Sequence, residues 1–139
     1  MVTKEMLKSV IKDLKLHRKH EVVLVDRGAM VYHSIFKTTD ILTFIVPRKA
    51  DIIEIALENN TNKDVIDEKL TISFDYNGTR IIFIHGEIDM DSYCEWSSTL
   101  GIYVYQERKL YKELIDDKEK LLLVNILSST ISNIENKRF

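Results

Sequence analysis

The chain has one cysteine, one proline, one tryptophan and four glycines among its 139 residues. Each scarcity closes off a class of protein. A lone Cys94 forms no internal disulfide, which argues against a stapled secreted miniprotein and for a reducing, cytoplasmic compartment. Four glycines leave no room for the common phosphate loops: the sequence contains no Gly-x-Gly-x-x-Gly, no Gly-Lys-Ser/Thr and no Gly-x-Ser-x-Gly. Neither sign of charge dominates. With 20 basic against 22 acidic residues the net charge is -2, so the basic face of a nucleic-acid binder is not expected. No apolar run approaches the ~20 residues that span a bilayer. The lysine-dotted N-terminal segment also lacks the apolar core of a signal peptide, and no membrane association is expected.

What is present is enough for a core. Hydrophobic residues make up 45% of the chain, and the length fits one domain over residues 1–139. Met6, Leu7, Val10, Ile11 and Leu14 form one helical stripe behind Thr3, a candidate N-cap. Glu21 to Asp26 is a short β-branched run that reads as a buried strand. A helix follows from Arg27-Gly28-Ala29 to about Ile35, then a second strand from Ile41 to Val46 that Pro47 stops. A helix over about 49–60 presents Ile52, Ile53, Ala56 and Leu57 on one face. Leu70–Asp75 and Thr79–His85 flank Tyr76-Asn77-Gly78, and Asn-Gly is a strong hairpin signal because both residues tolerate positive φ. The polar, aromatic stretch from Glu87 to Thr99 reads as loop or short helix, Gly101–Tyr105 as a last strand, and C-terminal helices run from about 107 to 135. The expected architecture is a single α/β (α+β) domain with one mixed sheet of four or five strands flanked by helices.

The informative segment is Val22 to Val46: a strand, a glycine at a helix start, then the polar Lys37-Thr38-Thr39-Asp40 and another apolar strand. This order resembles the nucleotidyltransferase fold of the polymerase-beta superfamily, in particular the minimal nucleotidyltransferases of toxin–antitoxin and abortive-infection (phage-defence) systems. The resemblance implies a nucleoside triphosphate bound near Arg27, Gly28, Lys37 and Thr38 or Thr39, with Asp40 as the first metal-holding acid and Mg²⁺ as cofactor. The physical logic is that a helix N-terminus with a small residue offers N–H groups to phosphate, while alternating carboxylates on a strand hold Mg²⁺. The sequence departs from that pattern. The second acid belongs at position 42, which is Leu42, and the third within Thr79–His85, which contains no acid. Transfer chemistry is therefore expected to be impaired.

Glu87, Asp89 and Asp91 alternate after the hairpin, so all three share one side if the segment is extended; Asp89 and Asp91 are candidates to complete the acid set. Against this stands the plainer expectation of an acidic surface loop. The four histidines show no zinc spacing. Cys94 has no neighbouring histidine and is expected to be a structural thiol. Tyr93, Trp96, Tyr103 and Tyr105 form an aromatic neighbourhood of the kind that occupies protein interfaces. The competing expectation for the whole chain is thus a non-catalytic module on the same scaffold that binds another protein.

Overall fold

The computed structural model describes residues 1–17, 21–59, 63–66 and 69–113. The chain divides into two compact units, Met1–Glu107 and Arg108–Phe139. In the second unit residues 108–113 are helical; the remainder of the expected C-terminal helices lies outside the described residues. The first unit carries the sheet.

Its elements run β1 (Val2–Thr3), a 3-10 turn (Lys4–Met6), α1 (Leu7–Asp13), β2 (Val23–Val25), α2 (Asp26–Tyr32), β3 (Thr38–Thr39) and β4 (Ile41–Val46). They continue with α3 (Lys49–Glu58), β5 (Lys63–Ile66), β6 (Lys69–Tyr76), β7 (Thr79–His85), α4 (Met90–Tyr93), β8 (Cys94–Ser97) and β9 (Ile102–Tyr105). Seven strands make one mixed sheet in the order β5-β6-β7-β4-β2-β9-β8, and β1 pairs with β3 apart from it. The short β2 lies between an antiparallel β4 and a parallel β9, while β4 runs parallel to β7.

Strand alternation gives the sheet two chemically different faces. Leu24, Leu42, Phe44, Ile81, Phe83 and Val104 share one face through the strand registers, and all are fully buried. The rings of Phe44 and Phe83 stack at 5.0 Å, and α2 lies on this face, where Gly28 meets Leu24 and Leu42. The opposite face carries Val23, Val25 and Cys94, with Ile45, Tyr103 and Tyr105 packed around them; Ile88 and Met90 of the β7–β8 crossover cover this cluster. The β6–β7 turn is the expected tight hairpin, with φ of 49° at Asn77 and 83° at Gly78.

Several expectations need correction. Among the described residues the sheet has seven strands, not four or five. The additional ones include β5, half of whose residues are charged, and β8, which occupies part of the stretch expected to be loop or short helix. Both lie at the edges of the sheet, where a strand needs no continuous apolar face and so gives little periodic signal. Met6 is 45% exposed because it belongs to the 3-10 turn, whose tighter winding takes it off the stripe of α1. In α3 the buried residues are Ile52, Ile55 and Ala56, whereas Ile53 and Leu57 face outward. Five of the six residues from 52 to 57 are apolar, so periodicity alone does not choose between the two stripes. Thr3 precedes the first helical turn, as expected, but makes no side-chain capping hydrogen bond.

Candidate functional site

β2 delivers the chain to one end of the sheet and passes directly into α2. The reversal is made at Asp26, whose φ is 52°; Asp is one of the few non-glycine residues that tolerate this conformation. Gly28, expected at the helix start, lies inside the first turn of the helix and is buried. A Cβ there would sit 2.5 Å from Leu24 Cδ1 and 3.0 Å from Leu42 Cδ2. The bare Cα is what allows α2 to lie close on the sheet.

Around this turn the expected nucleotide-site residues are distributed as follows. Arg27 is exposed, and its guanidinium lies over the Phe36 ring at 5.7 Å from the centroid. Lys37 and Thr38 are exposed, but Thr39 is buried. The Thr39 hydroxyl is committed locally, donating to Ile41 O at 2.8 Å and accepting from Ile41 N at 3.1 Å. The Asp40 side chain is exposed, while its carbonyl accepts from Arg80 N at 2.8 Å at the start of the β4–β7 ladder. Leu42, the position for which the resemblance implies a second acid, is fully buried against the site of Gly28.

The C-terminal end of α2 contributes a residue that spacing did not single out. His33 is only 8% exposed; its Nε2–H donates to Tyr105 O at 2.8 Å, and its Nδ1 lies 4.0 Å from Glu107 Oε1. The ring of Tyr32 meets it edge-on at 4.9 Å. Its partners are some seventy residues distant in sequence, so no local pattern announces this imidazole.

The other candidate acids arrive from the crossover. Because β9 runs parallel to β2 and β8 antiparallel to β9, with Cys94 opposite Tyr105, the start of β8 lies at the same end of the sheet as Asp26. Ile88 and Met90 pack on the sheet, while Glu87, Asp89 and Asp91 are exposed; the segment is not extended throughout, since Asp91 lies in the first turn of α4. Asp89 caps α4, accepting from Ser92 N at 3.3 Å and from Ser92 Oγ at 2.7 Å. It also faces Cys94, whose thiol is pushed up to about 11, by burial first and by the Asp89 charge second. Cys94 is accordingly a buried thiol that stays protonated at neutral pH.

Topology therefore brings Asp40, Asp89 and Asp91 to one end of the sheet but does not join them into a metal-binding group. Among the described residues no three His, Cys, Asp or Glu side chains come close enough to share an ion. Mg²⁺ requires near-octahedral oxygen coordination, and Asp40 supplies a single exposed carboxylate. Among the described residues, the acids the resemblance points to do not assemble into a two-ion site. The pocket between the N-terminal segment (Met1, Val2, Met6) and the β6–β7 turn (Tyr76, Asn77, Thr79) has a volume of about 180 Å³. That is below the ~300–1,000 Å³ of ordinary small-molecule sites. At its rim the Tyr76 hydroxyl donates to Asp13, a bond that raises the phenol's pKa.

The aromatic residues occupy the far edge of the sheet. Trp96 on β8 is 45% exposed and meets Tyr103 in a T-shaped contact at 5.0 Å. Tyr93, 38% exposed, stacks on Tyr105 at 5.9 Å.

No protein-family model matches the sequence, and no curated protein matches it. Among solved structures it is similar to a Thermotoga maritima protein provisionally described as a nucleotidyltransferase, with a TM-score of 0.58 and 12% identity. The match covers 92% of this chain and 96% of the other. At that identity the likeness is one of fold: this is a mixed α/β chain of nucleotidyltransferase-like architecture. Among the described residues no helix is long and apolar enough to cross a membrane.

Proposed function

We propose that this chain is a nucleotide-binding protein on a nucleotidyltransferase-like scaffold, without transfer activity of its own. The observation that carries the reading is the surroundings of the α2 turn. Arg27 and Lys37 are exposed there together with two acids, Asp26 and Asp40, whereas the position two residues after Asp40, where the resemblance implies a second metal-holding acid, is filled by the buried Leu42. Arg27, Lys37 and Asp40 suit a nucleoside triphosphate that brings its own Mg²⁺. They do not supply the paired carboxylates that would activate an attacking hydroxyl. A cytoplasmic role beside a toxin–antitoxin or phage-defence system, as for the minimal nucleotidyltransferases the chain resembles, completes the reading.

Calorimetric titration with ATP, GTP, CTP and UTP, each with Mg²⁺ and with Mn²⁺, tests it. Saturable, metal-dependent binding that Asp40→Ala weakens is the expected result, with no labelled nucleotide transferred to protein or RNA in a parallel assay. If the folded protein binds none of the four, the nucleotide reading is overturned; if label is transferred, the pseudo-enzyme reading is.

A second reading is favoured by the exposure of Trp96 and Tyr93 at the sheet edge: the chain acts as a non-catalytic module that holds another protein there. Interface cores are enriched in Trp and Tyr because these side chains bury much area at little entropic cost.

A further inference from the structure

The pocket beside the β6–β7 turn adjoins the Thr39–Asp40 step through two of its walls. Val2, on one wall, pairs with Thr39 across the β1–β3 ladder. Thr79, on another, precedes Arg80, whose N–H donates to Asp40 O at 2.8 Å. The α2 turn, Asp40 and Thr79 stand at the same end of three neighbouring strands, β2, β4 and β7. Adjacent strands lie about 5 Å apart, so two intervals separate the α2 turn from the pocket, within the reach of one extended nucleotide. A volume of about 180 Å³ is too small for a whole nucleotide but not for a ring. A cavity of about 150 Å³ holds benzene, so a six-membered base enters where a fused purine does not fit fully. Met6 and Val10 offer apolar surface to such a ring, and a thioether packs well against an aromatic edge. The charged group of the lining is Asp13, whose Oδ2 accepts from the Tyr76 hydroxyl, so the phenol orients the carboxylate at the rim. A carboxylate accepts hydrogen bonds and donates none. Of the single-ring bases, cytosine presents an amino group, which carboxylates recognise, and uracil presents a carbonyl oxygen in its place.

We infer that this pocket is a base subsite selective for cytosine, in which the Asp13 carboxylate accepts from the amino group of the base while the triphosphate extends toward Asp40 and Arg27. This rests on the nucleotide reading above and names the nucleotide.

The full chain is titrated calorimetrically with CTP, UTP, ATP and GTP in the presence of Mg²⁺. The expected result is that CTP binds about tenfold more tightly than each of the others. Asp13 and Met6 are both exposed, so substitutions there leave the fold intact, which an unchanged Tm verifies. Asp13→Asn, whose amide both donates and accepts, brings CTP and UTP to within about twofold of each other. Met6→Trp fills the pocket and lowers CTP to the affinity of ATP. Equal affinity for all four nucleotides, or a preference for a purine, overturns the base subsite and leaves the nucleotide reading in place. A preference for CTP that neither variant reduces overturns the assignment to this pocket. Binding of none of the four overturns the subsite and the nucleotide reading together.

Discussion

Replacing Gly28 by alanine separates two roles a glycine can play at the start of a helix. If Gly28 serves to expose N–H groups to a phosphate, a methyl group there acts on ligand affinity. If it serves close packing, the methyl acts on stability. The geometry points to the second: the new Cβ would lie 2.5 Å from Leu24 Cδ1, 3.0 Å from Leu42 Cδ2 and 3.2 Å from Leu24 Cγ. Both leucines are fully buried, so their ends have little room to rotate away. Alanine brings up to about 1 kcal/mol of helix propensity over glycine. Overpacking a filled core costs about 1–3 kcal/mol. At 2.5 Å the overlap belongs at the upper end of that range, so the balance is a loss of about 2 kcal/mol, or a fall in Tm of about 6 °C for a chain of this size. Thermal unfolding followed by circular dichroism measures it. In the double variant with Leu24→Val, the shortened side chain relieves the overlap, and the combined loss falls short of the sum by about 0.5–1 kcal/mol. A Tm equal to or above that of the native chain, or strictly additive losses, would refute the packing argument. A weakened nucleotide titration at unchanged Tm would return Gly28 to a ligand-binding role.

Three further outcomes follow from the same geometry. Leu42→Asp, the substitution that would formally restore the second acid, places a carboxylate in a fully buried site beside Gly28; loss of the folded circular-dichroism spectrum at pH 7 is expected, since an unpaired buried charge costs several kcal/mol. Gly101 has a φ of 71°, and a Cβ on it would overlap the His17 ring, whose Nδ1–H donates to Leu100 O at 3.1 Å. Gly101→Ala therefore lowers Tm, and combining it with His17→Ala recovers only the part due to overlap, leaving the roughly 1 kcal/mol of left-handed backbone. The Cys94 thiol has a folded pKa raised from 9.0 to about 11, so the native state holds a proton that the unfolded chain releases first. The stabilisation this represents is complete below pH 9 and is lost as pH rises from 9 toward about 11. Cys94→Ala flattens that part of the Tm–pH profile, and Ellman's reagent modifies the folded protein at pH 8 far more slowly than the urea-unfolded chain.

How much of this was legible in the sequence depends on whether the cause was local. Ile41–Val46 is a strand with the expected bounds because a run of apolar residues ends at a proline. The Asn77-Gly78 hairpin is equally plain because two residues alone set the backbone. The outward placing of Glu87, Asp89 and Asp91 was only partly readable: the expectation assumed an extended segment, whereas Met90 and Asp91 belong to the short helix α4. The face of α3 was not: with apolar residues nearly all round, the sheet beneath it decides which are covered. At the candidate site, Arg27, Lys37 and Asp40 are exposed. The left-handed residue is Asp26, and Gly28 is small for the sake of Leu24 and Leu42, which belong to two different strands. His33 illustrates the limit most clearly. Both of its partners come from the far end of β9, and no window of sequence contains the three together.

The position of β2 has a consequence for how the molecule is made. Val23 is among the first strand residues synthesised, yet one of its two neighbours across the sheet is Tyr103, near the end of the unit. The β6–β7 hairpin forms from adjacent residues, and β4 can join it as soon as β7 exists. β2 can then pair with β4, but its other flank stays bare until β9 leaves the ribosome. For most of synthesis the nascent chain thus carries a fully apolar strand with an open edge, a form prone to wrong pairing. Non-local closures of this kind slow folding. Chains released before residue 102 should therefore be rapidly degraded or held by chaperones, and resistance to protease should be acquired late and in one step, when β9 closes against β2.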